Sequence, residues 1–427
     1  MAFRFVHTAD LHLDSPLRSL AMRDEALAAR VDTAAREAFE GIVTRCLEER
    51  VDALMIAGDL YDGEQNSVKT GLFLARQLAR LSEAGIRTFI VRGNHDARSR
   101  ITPGLELPPL VHVFDGRGRP HAIEGTDVIV HGVSFADERM SDSLLPKYAA
   151  PTPGALEIGL MHTSLSGDAA HDDYAPCALA ELCGHGFAYW GLGHVHSRNV
   201  HHEAGNAAVV MAGMPQGRDV GEGGEKSATL VTIEDDGSVV LDRFPTAVAA
   251  FARAGVPLVP EMGWDEALDA AESALLDMAG RVVAPHLVAR LEFEGASRDA
   301  WRLRRDADDL LEQLRERIGT SGDVYVEKVA VRLDATERKA RSAASGPLDE
   351  LRAMMEDAVR GADFAAFMDE RARQLSSALK TRELRDLVLG ASEEARTVLL
   401  ADLAREGLDE IGARLEGRGK ERAESAT

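Results

Sequence analysis

Cysteine is scarce in this sequence: Cys46, Cys177 and Cys183 are the only three in 427 residues, and no two stand in a C-x-x-C pair. An odd, unpatterned set argues against a disulfide framework and for free thiols in a reducing cytoplasm. Long apolar runs are missing too. No stretch approaches the roughly 18 apolar residues of a membrane-spanning helix, so no membrane association is expected. The opening MAFRFVHTAD is interrupted by Arg4, His7 and Asp10, which does not read as a secretory leader. Positive charge is also in deficit. Lys and Arg number 49 against 71 Asp and Glu, a formal net charge of -22. That balance cuts against a broadly cationic nucleic-acid surface, though metal ions and a few arginines can supply local positive charge where a phosphate sits. Internal repeats are absent.

What is present is ordinary globular material, 45% hydrophobic and 28% charged. A chain of this length is expected to divide into two or three domains. FRFVHTA, DALMIAG, TFIVRG, LEIGLM, AYWGLG and AAVVMAG read as buried strands. Helical periodicity runs from Ala21 to Glu49, through Leu27, Val31, Phe39, Ile42, Val43 and Cys46, and a second helix from Ser67 to Glu83. SATLVTI and SVVLDRF flank Asp236-Gly237 and predict a hairpin. Alternating strands and helices make residues 1–250 an α/β domain. Val256 to Pro260, with two prolines, reads as a linker. Helices at Trp264–Ala279 and Asp299–Arg317 alternate with the strands HLVARLEFEG and DVYVEKVAVRL, enough for a small α+β domain over 256–335. From 345 to 427 only amphipathic helices remain, one of them with Ser392 as its N-cap.

Five short motifs fall at the C-terminal ends of predicted strands: Asp10-Leu11-His12, Gly58-Asp59-Leu60-Tyr61-Asp62, Gly93-Asn94-His95-Asp96, His162, and Gly193-His194-Val195-His196. Strand ends of an open α/β sheet converge on one crevice, so residues distant in sequence can meet there. Carboxylates, imidazoles and one amide carbonyl make a mixed nitrogen and oxygen donor set that suits Mn, Fe or Zn better than a thiolate-seeking metal. Two such ions sharing a carboxylate can clamp a phosphoryl centre, and Asp59 is the natural bridge. Any one motif alone is more often surface or core furniture; it is their order and placement that carry weight. Tyr189, Trp190, Met211 and Met214 read as packing residues, and Asp96 as a structural hydrogen-bonding group in its turn.

The series D-x-H, G-D-x-x-D, G-N-H-[DE], H, G-H-x-H, complete and in order, resembles the calcineurin-like metallophosphoesterase superfamily. The resemblance implies a layered α/β sandwich with two central sheets flanked by helices. It implies one divalent ion on Asp10, His12, Asp59 and His196, and a second on Asp59, Asn94, His162 and His194. Manganese is the first choice, with Fe, Zn or Mg as alternatives. His95 would bind no metal but protonate or stabilise the leaving oxygen, its ring oriented by Asp62.

Within that superfamily, FRFVHTADLHLDSPL and the segment from Gly213 to Arg218, with Glu222, Glu225 and Lys226, resemble DNA repair exonucleases of the SbcD and YhaO type. Ser227 stands where that group usually has glycine. This resemblance implies hydrolysis of DNA phosphodiesters, by exonuclease and in some settings endonuclease action. It implies a small capping domain and a helical tail after the catalytic domain, an SMC-like coiled-coil ATPase partner docking on that tail, and a homodimer through the helix from Ala21 to Glu49. Arg218 and Lys226 become candidate contacts to DNA phosphate, against the plainer reading of a glycine-rich loop with solvated charges. Two other functions compete: a phosphodiesterase or phosphatase for a small phosphoester, and a DNA-end-binding scaffold with weak catalysis.

Overall fold

The structure is a computed structural model, and it describes residues 2–15, 27, 31–62, 67–98, 105–165, 174–204, 207–319, 323–333, 347–379, 382–390, 392–393, 395–405, 407–408 and 411. The chain divides into two compact units, one of residues 1–252 and 281–288, the other of 253–280 and 289–427.

The first unit is built on two six-stranded sheets. Its strands in chain order are β1 (Phe3–Thr8), β2 (Ala53–Ala57), β3 (Arg87–Val91), β4 (Val111–Val113), β5 (His121–Ala122), β6 (Val128–Val133), β7 (Leu156–His162), β8 (Tyr189–Gly193), β9 (Asn199–Ala204), β10 (Ala207–Met211), β11 (Ser227–Ile233) and β12 (Val239–Pro245). One sheet runs β12-β11-β1-β2-β3-β4 and the other β5-β6-β7-β8-β10-β9. β1 to β4 are mutually parallel, as are β6, β7, β8 and β10. Parallel strands buried on both faces need apolar side chains on both, which is why ALMIA in β2 is apolar throughout and fully buried.

The sheets pack face to face through Phe5, Met55, Phe89, Val130, Ile158, Leu160, Tyr189 and Val210. The outer face of the first sheet is covered by α1 (Ala34–Glu49) and α2 (Val68–Glu83). Phe39, Ile42, Val43 and Cys46 of α1 recur at helical spacing and are all buried. The outer face of the second sheet packs Trp190, Leu192 and Met211 against Leu182 of α3 (Leu179–His185).

The strands expected in this unit are present, and β11 and β12 pair antiparallel around Gly237, whose φ is +81°. Sequence pattern missed β4, β5, β6 and β9. The long helix expected from Ala21 is helical at Leu27 and Val31, turns at Asp32 and Thr33, and continues as α1; its residues 21–26 and 28–30 lie outside the described residues.

The three-stranded sheet β13 (Ala249–Leu258), β14 (His286–Gly295) and β15 (Val324–Leu333) lies mostly in the second unit, with α4 (Trp264–Arg281), α5 (Ala300–Arg305) and α6 (Ala307–Ile318). The linker expected over Val256–Pro260 is overturned up to Leu258. Ala254, Val256 and Leu258 are buried with exposed residues between them, the period of a strand. Pro257 is tolerated because β13 is an edge strand, where a missing N–H costs no ladder bond. The tail carries α7 (Pro347–Arg360), α8 (Ala362–Ala378) and α9 (Arg382–Leu389). Ser392 caps the helical residues 393 and 395–405 that follow it, its hydroxyl accepting from the Ala395 amide at 3.1 Å. Among the described residues no helix is long and apolar enough to cross a membrane.

Candidate metal centre

β1, β2 and β3 in one sheet and β7 and β8 in the other end at the same edge of the sandwich, and the loops that leave them meet there. The loop after β1 stays zipped to the loop after β2: Asp10 donates its amide to the Gly58 carbonyl, His12 to Asp59 and Leu13 to Leu60, each at 3.0 Å. This path forces positive φ on non-glycine residues, +51° at Asp10, +42° at His12, +51° at Asp59 and +105° at His194. Such conformations cost roughly 1–3 kcal/mol each and persist where surrounding structure over-determines them. Two glycines make room for the cluster. A Cβ on Gly58 would lie 2.3 Å from His162 Nδ1, and one on Gly93 would lie 2.2 Å from Asp59 Oδ1. Asp96 staples two of the loops, accepting from the Leu60 and Tyr61 amides on one oxygen and from Gly93 on the other.

The loops bring the expected ligands together. His12 Nε2 faces His196 Nε2 at 3.2 Å. Asp59 Oδ2 lies between the imidazoles of two loops, 3.9 Å from His12 Nε2 and 3.4 Å from His162 Nε2. His162 Nε2 also stands 2.9 Å from Asn94 Oδ1. Asp10 accepts the His194 amide on both oxygens and approaches His162 Nδ1 to 3.9 Å. The His194 ring sits 5.1 Å from that of His162. Asp10, His12 and His196 form one set of donors close enough to share an ion, and Asp10, Asp59 and His162 another.

The donor chemistry fits cations. His162 Nδ1 donates to the Ala57 carbonyl at 3.0 Å, which turns Nε2 toward the oxygens of Asn94 and Asp59. His12 and His196 each give their Nδ1 proton to a carboxylate, Asp62 and Glu222, both at 2.8 Å. Neutral rings held in this way turn their Nε2 lone pairs toward each other. Lone pairs converging in this way are stabilised by a positive charge placed among them.

Electrostatics point the same way. Burial lowers the proton affinity of His162, yet the charges of Asp59 and Asp10 outweigh it and hold the imidazole up at about 9. Burial pushes Asp10 up. Asp59 is driven far below the carboxylate range: burial opposes this, and the charge and hydrogen bond of His162 prevail. Asp96, wholly buried and beside Asp59, is pushed up to about 7. A cluster this rich in acceptors draws in positive charge, as a proton or as a metal ion.

Two expected residues, Asp62 and Lys226, sit differently from the sequence reading. Asp62 accepts a hydrogen bond from His12 Nδ1, and its Oδ1 lies 3.6 Å from His95 Nδ1, within ion-pair reach but longer than a hydrogen bond. The reason is competition: the Asp62 carboxylate is already engaged by His12, the Ser15 hydroxyl and Arg218. His95 is fixed through its backbone, its amide donating to Asp59 Oδ1 at 3.0 Å, while its side chain is 42% exposed at the rim. Arg218 lies over the site, its guanidinium on Glu222 and reaching Asp62 at 3.5 Å. Lys226 does not share that surface. It is 5% exposed, with its ammonium 3.5 Å from the His196 carbonyl, so it supports the loop rather than offering a phosphate contact. Sequence reasoning also missed Glu222 as the anchor of His196. Its one local signal was the i,i+4 spacing from Arg218.

Two family models match this chain: calcineurin-like phosphoesterase over residues 3–198, and the middle domain of metallophosphoesterase YhaO over 251–334. The metallophosphoesterase YhaO of Bacillus subtilis (strain 168) is 34% identical over 233 residues, which cover 54% of this chain and 57% of the relative. The DNA double-strand break repair protein Mre11 of Methanopyrus kandleri is 27% identical over 211 residues, 45% of this chain and 44% of its own. Its counterpart in Sulfurisphaera tokodaii is 25% identical over 244 residues, 55% and 60%. The chain thus spans about half the length of the curated relatives it matches. Among solved structures, TT1561 of Thermus thermophilus aligns over 57% of this chain and 99% of its own, with 16% identity and a TM-score of 0.34. Residues 3–198 thus carry the match to the calcineurin-like phosphoesterases, and residues 251–334 the match to the middle domain of metallophosphoesterase YhaO.

Proposed function

We propose that this protein is a two-metal DNA phosphodiesterase, an exonuclease subunit of a DNA repair complex in the cytoplasm. The observation that carries the metal part is the pair of Nε2 atoms of His12 and His196 facing each other at 3.2 Å, with each Nδ1 bonded to a carboxylate. Asp10, His12, Asp59 and His196 would hold one ion and Asp59, Asn94, His162 and His194 the other, with Mn favoured by the mixed donor set. The ions, when bound, supply positive charge against the phosphoryl oxygens and acidify water.

The protein's own groups do the rest. Asp59 draws the two halves of the centre together from between their imidazoles. His95, at the exposed rim beside the His12 ring, is placed to give a proton to the leaving oxygen. Arg218, about a quarter exposed, presents its outward edge to a substrate phosphate. The DNA reading is supported by the relatives named as break-repair proteins. Residues 256–335 would form the α+β capping domain of such nucleases, and the helices of 345–427 would dock an SMC-like ATPase. A homodimer would form through the helix that ends at Glu49.

The deciding assay offers purified protein and Mn²⁺ a labelled DNA duplex and a chromogenic small diester. Degradation of DNA from its ends is expected. Turnover of the diester with intact DNA, even beside a coiled-coil ATPase, would reject the nuclease reading in favour of a small-molecule phosphodiesterase.

A further inference from the structure

Glu222 and Arg218 lie outside the expected ligand set, yet with Asp62 they close a ring around one half of it. His196 Nδ1 donates to Glu222 Oε1 at 2.8 Å, and His12 Nδ1 donates to Asp62 Oδ1 at 2.8 Å. The Arg218 guanidinium joins the two carboxylates. Its Nε is 3.2 and 3.1 Å from the two oxygens of Glu222, and Nη1 is 3.5 Å from Asp62 Oδ1 and 3.4 Å from the Ser15 hydroxyl. The Arg218 amide also donates to Glu222 Oε2 at 2.9 Å. The ring closes across the space where His12 and His196 meet.

This arrangement has a specific consequence. A neutral imidazole carries one N–H, and a carboxylate on Nδ1 decides that the lone pair is on Nε2 and which way it points. His12 leaves β1 and His196 leaves β8; the Asp10 carboxylate ties the two loops through the His194 amide, and the bridge through Arg218 joins the carboxylates that hold the two rings. Glu222 is gripped from two sides, by the His196 ring and by the Arg218 amide and guanidinium, which fixes where its oxygens stand. We propose that Glu222, with Arg218 linking it to Asp62, is the positioning device for the ion on His12 and His196, setting the affinity of that ion and not of the one on His162 and Asn94. The proposal rests on the two-metal reading above but not on the DNA reading. Charge alone predicts the reverse for Arg218: a cation beside a cation site weakens it, so removal should tighten binding.

The test is Mn²⁺ binding to the full chain, by calorimetry and by electron paramagnetic resonance, for wild type, Glu222→Gln and Arg218→Gln. Wild type is expected to take two ions and give the signal of a coupled Mn pair. Both variants should bind one ion about 10- to 100-fold more weakly, the range found when an outer partner of a ligating histidine is removed, and leave the other unchanged. At intermediate Mn²⁺ they should show an isolated ion where wild type shows a pair. If Glu222→Gln folds poorly, Arg218→Gln alone carries the test, with Arg218→Lys expected to restore affinity only in part because it lacks the fork. Unchanged affinities, tighter binding in Arg218→Gln, or equal weakening of both ions with lowered stability of the metal-free protein would each overturn the proposal. A wild-type protein that binds no pair of ions would instead overturn the two-metal reading beneath it.

Discussion

Gly93 shows how little freedom the individual residues at this centre have. A methyl group there would overlap Asp59 Oδ1 and crowd both Cε1 and Nε2 of His162, none of which can withdraw without leaving the cluster. Gly93→Ala is expected to abolish binding of the ion beside His162 and reduce hydrolysis by roughly 100-fold or more, the scale on which misplaced reacting groups are penalised, while far-UV circular dichroism stays native; metal content after dialysis reads the loss. Substituting His95→Gln should do the opposite. Metal content stays at the wild-type level and kcat falls by about 100- to 10,000-fold, the usual weight of a general acid; an unchanged rate rejects the role. His7 allows a sharper sign test away from the metals. It is wholly buried, hydrogen-bonded to the Tyr189 hydroxyl, and burial holds it neutral down to about 3 against an ordinary 6.5. The unfolded chain takes up that proton as pH falls through 6.5 and the folded chain does not until about 3. Stability should therefore drop between those values by up to about 1.4 kcal/mol per pH unit from this group. His7→Gln should flatten that part of the denaturation profile measured by urea unfolding.

At the scale of elements, the sandwich depends on how closely the sheets approach beneath the site. A Cβ on Gly193, the last residue of β8, would fall 2.0 Å from the Ala57 carbonyl oxygen of β2 and 2.8 Å from the Ala9 methyl. Gly193→Ala should cost about 1–3 kcal/mol in denaturant unfolding, since the clash is with backbone that cannot rotate away. The strands that position the motifs were legible in the sequence because each is a short, largely apolar run ending in glycine or a ligand. β6 hid behind His131 and Gly132, whose imidazole meets Glu157 through Nε2 and whose missing side chain admits Phe114. β9, with two histidines and a glutamate, is a polar edge strand that no hydrophobic pattern reveals. β13 was obscured by Pro257. The ligands could be read because each motif is local. The Asp62–Arg218–Glu222 bridge could not, because its partners are 156 and 26 residues from the groups they serve, Arg218 from Asp62 and Glu222 from His196.

For the whole molecule, a net charge of -22 makes the metal centre and a few arginines the main places where a polyanion can be held. DNA binding by this chain should therefore need divalent metal and show a shallow dependence on salt, with log affinity against log salt falling no more steeply than about -3, that is, about three phosphates neutralised. Fluorescence anisotropy of a labelled duplex across a salt series measures that slope, and a steep slope without metal would point to a basic surface elsewhere. The central claim, that loops from five strand ends hold two cations in one cleft, is tested most directly by anomalous X-ray scattering from crystals grown with Mn²⁺. Two peaks are predicted, one beside His12 and His196, the other beside His162 and Asn94, with Asp59 touching both. A single peak, or peaks away from these side chains, would contradict it.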